Sequence, residues 1–335
     1  MLSPTKNTTL TVVISRGQSR NPAKRGLETA VAEEAVKIDD VSVLVVPHLY
    51  DLPKDGESWQ QLREIEGDLL VVSWIFPRAA MWVLDRNGVG GRPGEVLLDI
   101  DEEDGLPDDA APVEDSESTS EPVDRVTDLF PRPDRFVYGL DLKTAPSVDV
   151  FLDEIKRIAG VPSDPDDVSL PVVGGSLQQI EETTSRRWYP VIDFSRCTNC
   201  MECIDFCLFG VYGVDGAETI LVEQPDNCRK GCPACSRVCP ENAIIFPQHK
   251  APAIAGAETE GGEGFKIDLS LLFGKPAGDD DQIATAARER DEQLLLAGRD
   301  AVGMDDQLRK RQTSIQSKPK DQLDSLIDSL DDLDL

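Results

Sequence analysis

Short aliphatic runs alternate with helix-period stretches along the first half of the chain. Leu10–Ile14, Val41–Val46 and Leu69–Ser73 are β-branched or aliphatic with few polar interruptions. That is the form of strands buried on both faces of a parallel sheet. Between the first two, Asn21 is placed to cap a helix and Pro22 to open it, and Leu27, Val31 and Ala35 recur every four residues. Residues 58–66 and 78–86 read as further helices, Glu95–Ile100 and Phe136–Leu142 as further strands, and Val148–Ile158 as a helix. Strand–helix alternation of this kind predicts an α/β domain over residues 8–160 built on a mainly parallel sheet. The run 99–134, rich in Asp, Glu, Ser and Pro, reads as a disordered insertion before the last strand, and 161–185 as a linker.

The pattern changes after residue 185. Short apolar stretches at 191–196, 210–214, 220–227 and 243–246 flank two dense polar loops, and all eight cysteines of the chain lie in those loops. Cys197, Cys200, Cys203 and Cys207 are separated by two, two and three residues; Cys228, Cys232, Cys235 and Cys239 by three, two and three, with Pro240 following. The last three cysteines of each run are offset by 32 residues, as two copies of one strand–loop–helix–strand unit would be. Three thiols on a tight loop reach three corners of a cubane, and the fourth iron must be met from elsewhere.

This stretch, residues 186–250, resembles the bacterial ferredoxins that carry two 4Fe–4S clusters in an α+β fold. The resemblance implies that the fourth cysteine of each run ligates the other cluster. Cys197, Cys200, Cys203 and Cys239 would then hold one cluster, and Cys228, Cys232, Cys235 and Cys207 the second. Leu208 stands where the family usually has proline, and the second loop is one residue wider after Cys228. Disulfides fit poorly with clustered cysteines and no export signal. Zinc prefers two pairs separated by a longer gap. Cys228, Cys232 and Cys235 share the spacing of radical S-adenosylmethionine enzymes, but Ala234 replaces the usual aromatic and too little chain follows for their barrel.

Charge changes the picture outside the loops more than within them. The 335 residues carry a net charge of −29, yet residues 186–250 contribute only −1. Residues 99–124 hold twelve acidic and no basic groups, and 251–335 contribute −9. Such a balance argues against nucleic acid as a partner. No apolar run approaches the roughly 20 residues that span a bilayer, and the expected setting is cytoplasmic.

The α/β domain offers weaker signals. Its alternation suits a Rossmann-like or flavodoxin-like winding, whose ligands lie at the carboxyl ends of the strands. The loop Ser15–Lys24 carries Arg16, Arg20 and Lys24 into a helix start. It reads as a solvated loop with an ordinary cap, or as a phosphate or carboxylate cradle. His48, Tyr50, Trp74 and Phe76 also follow strands; His48 reads as a hydrogen-bonded structural residue rather than a base. Trp188 and Tyr189, before the first cysteine loop, read as packing that excludes water from it.

Beyond residue 250 a mostly disordered extension is expected. It includes an apolar patch at Phe265–Phe273, a helix over Asp279–Leu296 and a basic trio at 309–311. An amphipathic stripe of Leu323, Leu326, Ile327, Leu330 and Leu333 near the end reads as a partner motif or a solubilising tail. The resemblance implies an electron carrier serving one or more redox-partner proteins, docked through the α/β domain or the 321–335 tail. Two alternatives are an oxidoreductase whose α/β domain binds a substrate or flavin, and a redox sensor or scaffold.

Overall fold

A computed structural model describes residues 10–98, 125–130, 132–161, 175–258 and 282–302. The residues up to Ala277 form one compact unit, and those from Gly278 onward a second.

In the first unit, β1 (Leu10–Ser15), α1 (Pro22–Ala35), β2 (Val41–Val46), α2 (Glu57–Glu64), β3 (Leu69–Ser73) and α3 (Pro77–Arg86) follow one another closely. Asn21 caps α1 as expected, its side chain accepting from the Ala23 amide at 2.9 Å. Then come β4 (Arg92–Pro93), α4 (Val126–Leu129), β5 (Phe136–Asp141) and α5 (Val148–Ala159), which ends at the left-handed Gly160. A last strand, β6 (Leu177–Gln179), completes a six-stranded sheet in the order β4-β5-β3-β1-β2-β6. Every pairing in it is parallel. The central order β2-β1-β3-β5 is the flavodoxin-like winding.

Alternate residues of each strand feed separate cores. Val12, Ile14, Val43, Val45, Leu70 and Val72 face α1 and α5, where Val31, Ala35, Phe151 and Ile155 complete one core. Val13, Leu44, Val46, Leu69 and Val71 face the other way, onto Trp59 and Leu62 of α2 and Ala79, Trp82 and Val83 of α3.

Three expectations need correction. Residues 95–98 form no strand, because α5 side chains take their backbone groups: Glu154 Oε1 accepts from the Leu97 amide at 2.9 Å and Arg157 donates to the Glu95 carbonyl at 2.8 Å. The expected linker 161–185 contains β6, paired to β2 through Leu177–Gln179. The end of the 99–134 insertion is ordered, with Val126 buried and α4 strapped onto the first cysteine loop. There the Val126 amide donates to the Cys197 carbonyl at 2.9 Å and the Thr127 amide to the Phe194 carbonyl at 3.0 Å.

The cysteine region is built as two matching halves. β7 (Val191–Ile192), α6 (Glu202–Phe206) and β8 (Tyr212–Val214) form the first; β9 (Ile220–Val222), α7 (Ala234–Val238) and β10 (Ile244–Ile245) the second. β7 pairs antiparallel with β10, and β8 with β9, so each half is closed by the other. Left-handed residues recur at the same places, 32 positions apart: Asn199 (φ 58°) with Gly231 (φ 85°), and Gly210 (φ 68°) with Asn242 (φ 48°). Asparagine and glycine are the residues that tolerate this region best, and the repeat read from the cysteine spacing extends to the backbone. A short helix, α8 (Pro252–Ala255), follows, and in the second unit α9 (Gln282–Leu296) takes the place of the helix expected over 279–296. The 265–273 patch, the 309–311 trio and the 321–335 stripe lie outside the described residues.

The two-residue strands β7 and β10 stitch the α/β domain to the cysteine region. Val191 and Ile245 enter the core beside α3, whereas Ile192 and Ile244 enter the core around the cysteines. Polar contacts fix this seam. Arg78 of α3 is buried; its Nε donates to Asp193 Oδ2 at 2.5 Å and its Nη2 to the Asn242 carbonyl at 2.6 Å. Tyr50 and Tyr189 stack with centroids 4.3 Å apart, and the Tyr189 hydroxyl donates to the Tyr50 carbonyl at 3.1 Å.

Removing one partner of a buried ion pair strands the other charge away from water. Arg78→Ala is therefore expected to lower the unfolding free energy by about 3–5 kcal/mol in urea titrations. A loss below about 1 kcal/mol, the range of exposed pairs, would mean that this contact does not hold the seam.

Candidate metal centre

The first cysteine loop is anchored at its root by Asp193, which is 1% exposed. Its carbonyl accepts from the amides of Arg196 (3.1 Å) and Cys197 (2.9 Å), and its Oδ1 from the Ser195 amide (2.9 Å) and hydroxyl (2.5 Å). From there the chain turns through left-handed Asn199 and Met201. Asn199 also clamps the loop to β9: its Nδ2 donates to the Glu218 carbonyl and its Oδ1 accepts from the Ile220 amide, both at 2.9 Å.

Local electrostatics sort the eight thiols. Burial pushes Cys203 up to about 12, and its next influences are Cys239, Cys197 and Cys200. Burial also raises Cys197, with the Asn199 amide opposing and Cys239 and Cys200 adding to the rise. Cys239 is raised by burial, against the amides of Ala243, Glu241 and Ile244, with Cys200 adding to it. Cys228 is raised by burial, then by Cys232 and Cys207. Cys235 is raised by burial, against a hydrogen bond from Tyr212, then by Cys228, Cys207 and Cys232. Cys239 thus acts on Cys197 and Cys203 and is acted on by Cys200, while Cys207 acts on Cys228 and Cys235.

Donors point at the sulfurs. The Asn199 amide lies 3.4 Å from Cys197 Sγ, the Ala243 amide 3.3 Å from Cys239 Sγ, and the Tyr212 hydroxyl 3.1 Å from Cys235 Sγ. Cys197, Cys203, Cys232 and Cys235 are buried, and thiols held out of water favour a bound cation that stabilises them as thiolates. Among the described residues no three His, Cys, Asp or Glu side chains converge tightly enough for a single metal ion. Zinc would need four sulfurs about 2.3 Å from one point. The donor set suits a larger iron–sulfur group: sulfur-only and supplied with amide and hydroxyl donors. Cys200 is the one exposed cysteine, while Cys228 is half-buried.

Tyr212 was not singled out by the sequence. It is 6% exposed on β8, and its hydroxyl is raised well above its ordinary value by burial, then by Cys235 and Cys203, with Cys207 contributing from the same set as Cys235. It thus sits beside both sets. The 32-residue repeat contains a signal for it: the matching position is Ile244, so one copy places a hydroxyl where the other is wholly apolar. Trp188 packs as expected, stacked on Phe246 at 5.2 Å, with its Nε1 donating to the Cys232 carbonyl at 3.1 Å.

At the carboxyl ends of β1 and β3, the chain occupies its own anion-binding groups. Buried Glu28, unremarked in the α1 pattern, accepts from the Gly17 amide at 2.8 Å and the Trp74 indole at 2.6 Å through Oε1, and from Arg25 at 3.0 Å through Oε2. Lys24 lies over the Trp74 ring at 4.3 Å and Arg16 pairs with Glu181 at 3.2 Å. The loop reads as a structural cap, in which Glu28 takes the place an anion would.

Asp51, also buried, joins this end of the sheet to the cysteine region. Its Oδ1 accepts from the Arg187 amide and Gln248 Nε2, both at 3.0 Å, and its Oδ2 from Gln18 Nε2 at 2.5 Å. His48 Nδ1 lies 3.4 Å from Asp51 Oδ2 without hydrogen-bond geometry, so His48 is packed rather than bonded through that atom. Burial lowers its pKa below 6.5; Asp51 opposes this and Arg186 adds to it.

No protein-family model and no solved structure matches this chain. An uncharacterized ferredoxin from Methanocaldococcus jannaschii is 50% identical over 66 residues, which are 19% of this chain and 44% of that protein. The chain thus spans less than half the length of that relative. The identity supports a ferredoxin-like domain over about a fifth of the chain. Among the described residues no helix is long and apolar enough to cross a membrane.

A histidine held neutral by burial binds its proton more weakly in the folded than in the unfolded chain. Stability should therefore fall as pH drops below 6.5 and level off beneath the folded pKa. The slope is at most about 1.4 kcal/mol per pH unit. Urea unfolding of wild type and His48→Gln between about pH 7.5 and about pH 5.5 checks this: the variant should show a shallower decline, and parallel curves would remove His48 from the account.

Proposed function

We propose that this protein is an iron–sulfur electron carrier whose cysteine region holds two 4Fe–4S clusters. The observation that carries the reading is the sorting of the thiols. Cys239 acts electrostatically on Cys197 and Cys203 and is acted on by Cys200, and Cys207 acts on Cys228 and Cys235, which supports pairing each fourth cysteine with the other run. This is the crossed arrangement of two-cluster ferredoxins. A relative called a ferredoxin supports it from a separate direction.

When bound, such a cluster supplies a one-electron couple at low potential. The chain's own residues set its surroundings. Cys203 and Cys235 are buried, as are Tyr212 and Phe246, and these side chains keep water from the sulfurs. The amides of Asn199 and Ala243 and the Tyr212 hydroxyl donate to sulfur, which favours the more negative, reduced state. Tyr212, beside both sets, lies on the short route between them. Exposed Cys200, with exposed Glu202 and Asp205 close after it in the chain, offers the first set a surface for electron exchange with a basic redox-partner protein. A cytoplasmic setting, where thiols stay reduced, suits eight unpaired cysteines.

Anaerobically purified protein should contain about eight iron and about eight acid-labile sulfide per chain, and reduction should yield the electron paramagnetic resonance of two interacting clusters. A flavin band, or turnover without a partner, would replace the carrier reading with an enzymatic one. Cys239→Ala should disturb the cluster held by the first run, and damage confined to the second would break the crossed assignment. Tyr212→Phe should keep both clusters but make the Cys235-bound cluster harder to reduce in a potentiometric titration; an unchanged midpoint would mean that the hydroxyl does not tune it.

A further inference from the structure

The segment between β6 and β7 crosses in front of the second cysteine set and leaves a cavity of about 470 Å³. Its volume falls in the range of small-molecule sites. Cys228 and Trp188 form part of its wall, and Thr183, Thr184 and Ser185 contribute side chains along one side. Four basic residues line it, Lys54, Arg186, Arg187 and Lys230, against two acidic ones, Asp51 and Asp226.

The two acids are already engaged. Asp226 pairs with Arg187 at 2.8 Å, and buried Asp51 accepts from the Arg187 amide, Gln248 and Gln18. Arg187 is itself fixed, since its Nη1 also donates to the Leu52 carbonyl at 3.2 Å. Among the described residues, Lys54, Arg186 and Lys230 have no carboxylate partner. Three free cations around one cavity are conspicuous in a chain of net charge −29. Elsewhere in the α/β domain several cations are matched by the chain's own carboxylates, as Arg25 is by Glu28 and Arg132 by Asp85.

We propose that this cavity binds a small polyvalent oxyanion, phosphate- or carboxylate-bearing, through Lys54, Arg186 and Lys230 with the hydroxyls of residues 183–185. The cavity's volume suits a small molecule. The site stands independently of the clusters, but its consequence rests on the electron-carrier reading. An anion here lies against Cys228, a ligand of the second cluster, and opposes the negative charge that reduction adds. Reduction must then weaken anion binding by the same factor by which the anion disfavours reduction. The occupied cavity would hold the second cluster at lower potential and release its ligand as the electron arrives.

The test is calorimetric titration of the intact protein, with cluster content fixed beforehand from iron analysis and visible absorbance. Inorganic pyrophosphate and citrate serve as probes at constant ionic strength. Saturable one-to-one binding is expected. Lys54→Ala and Lys230→Ala should each weaken it about tenfold through loss of a charge-assisted contact, with thermal unfolding and absorbance unchanged. The tighter probe identifies a phosphate- or carboxylate-bearing ligand. No saturable binding of either probe, or equal affinity in the variants, overturns the site. Photochemically reduced protein should bind more weakly; equal affinity overturns the coupling. Binding by protein that holds no clusters would sustain the site while defeating the electron-carrier reading.

Discussion

Asp193 is the residue on which the two halves of the molecule converge. Its carboxylate takes the buried guanidinium of Arg78 from the α/β domain, and its carbonyl starts the Cys197 loop. Its amide donates to the carbonyl of Ala243, just before the strand that ends the second cysteine half. A buried carboxylate is tolerated only when fully partnered, and here the partners come from α3, the loop itself and, through Arg78, the Asn242 carbonyl. The geometry of the first thiol set is therefore tied to the packing of a helix from a different fold layer. The cysteine region is no separable bead on a string, because Tyr189, Val191 and Ile245 belong to the same core as Trp59 and Trp82.

Much of this was legible from residue order. β1, β2 and β3 are almost uninterrupted aliphatic runs because both faces of the sheet are covered, and such strands announce themselves. The cysteine spacing announced the second region equally well, since a loop folding around a polynuclear centre needs those intervals. The left-handed pairs at 199/231 and 210/242 then gave the repeat a backbone meaning that spacing alone lacked.

What escaped the sequence has a common physical character. The strand expected over 95–100 carries the right side chains, but strands are defined by backbone partners, and here Glu154 and Arg157 take those partners from a helix some sixty residues away. β6 is Leu-Gln-Gln at a sheet edge, with every residue exposed, so no hydrophobic period marks it. Glu28 sits on the buried face of α1, where a carboxylate contradicts the pattern until the Gly17 amide and Trp74 indole are seen to satisfy it. Tyr212 looks like an ordinary strand aromatic until the fold brings Cys235 to its hydroxyl. Each miss is a long-range polar satisfaction that local composition does not encode.

The pairing of β7 with β10 carries a consequence for how the molecule comes into being. Synthesis proceeds from the amino end, so the first cysteine loop leaves the ribosome before either Ala243 or Ile245 has been made. Its floor is missing for that interval, although Arg78 and the rest of α3 are already available to Asp193. The α/β domain, finished early except for its Val191 and Ile245 contacts, can serve as the bench on which the loop waits. Closure of the first cysteine loop is thereby placed after the last strand has been made, and the chain's own order of appearance sets the order in which loop and floor come together.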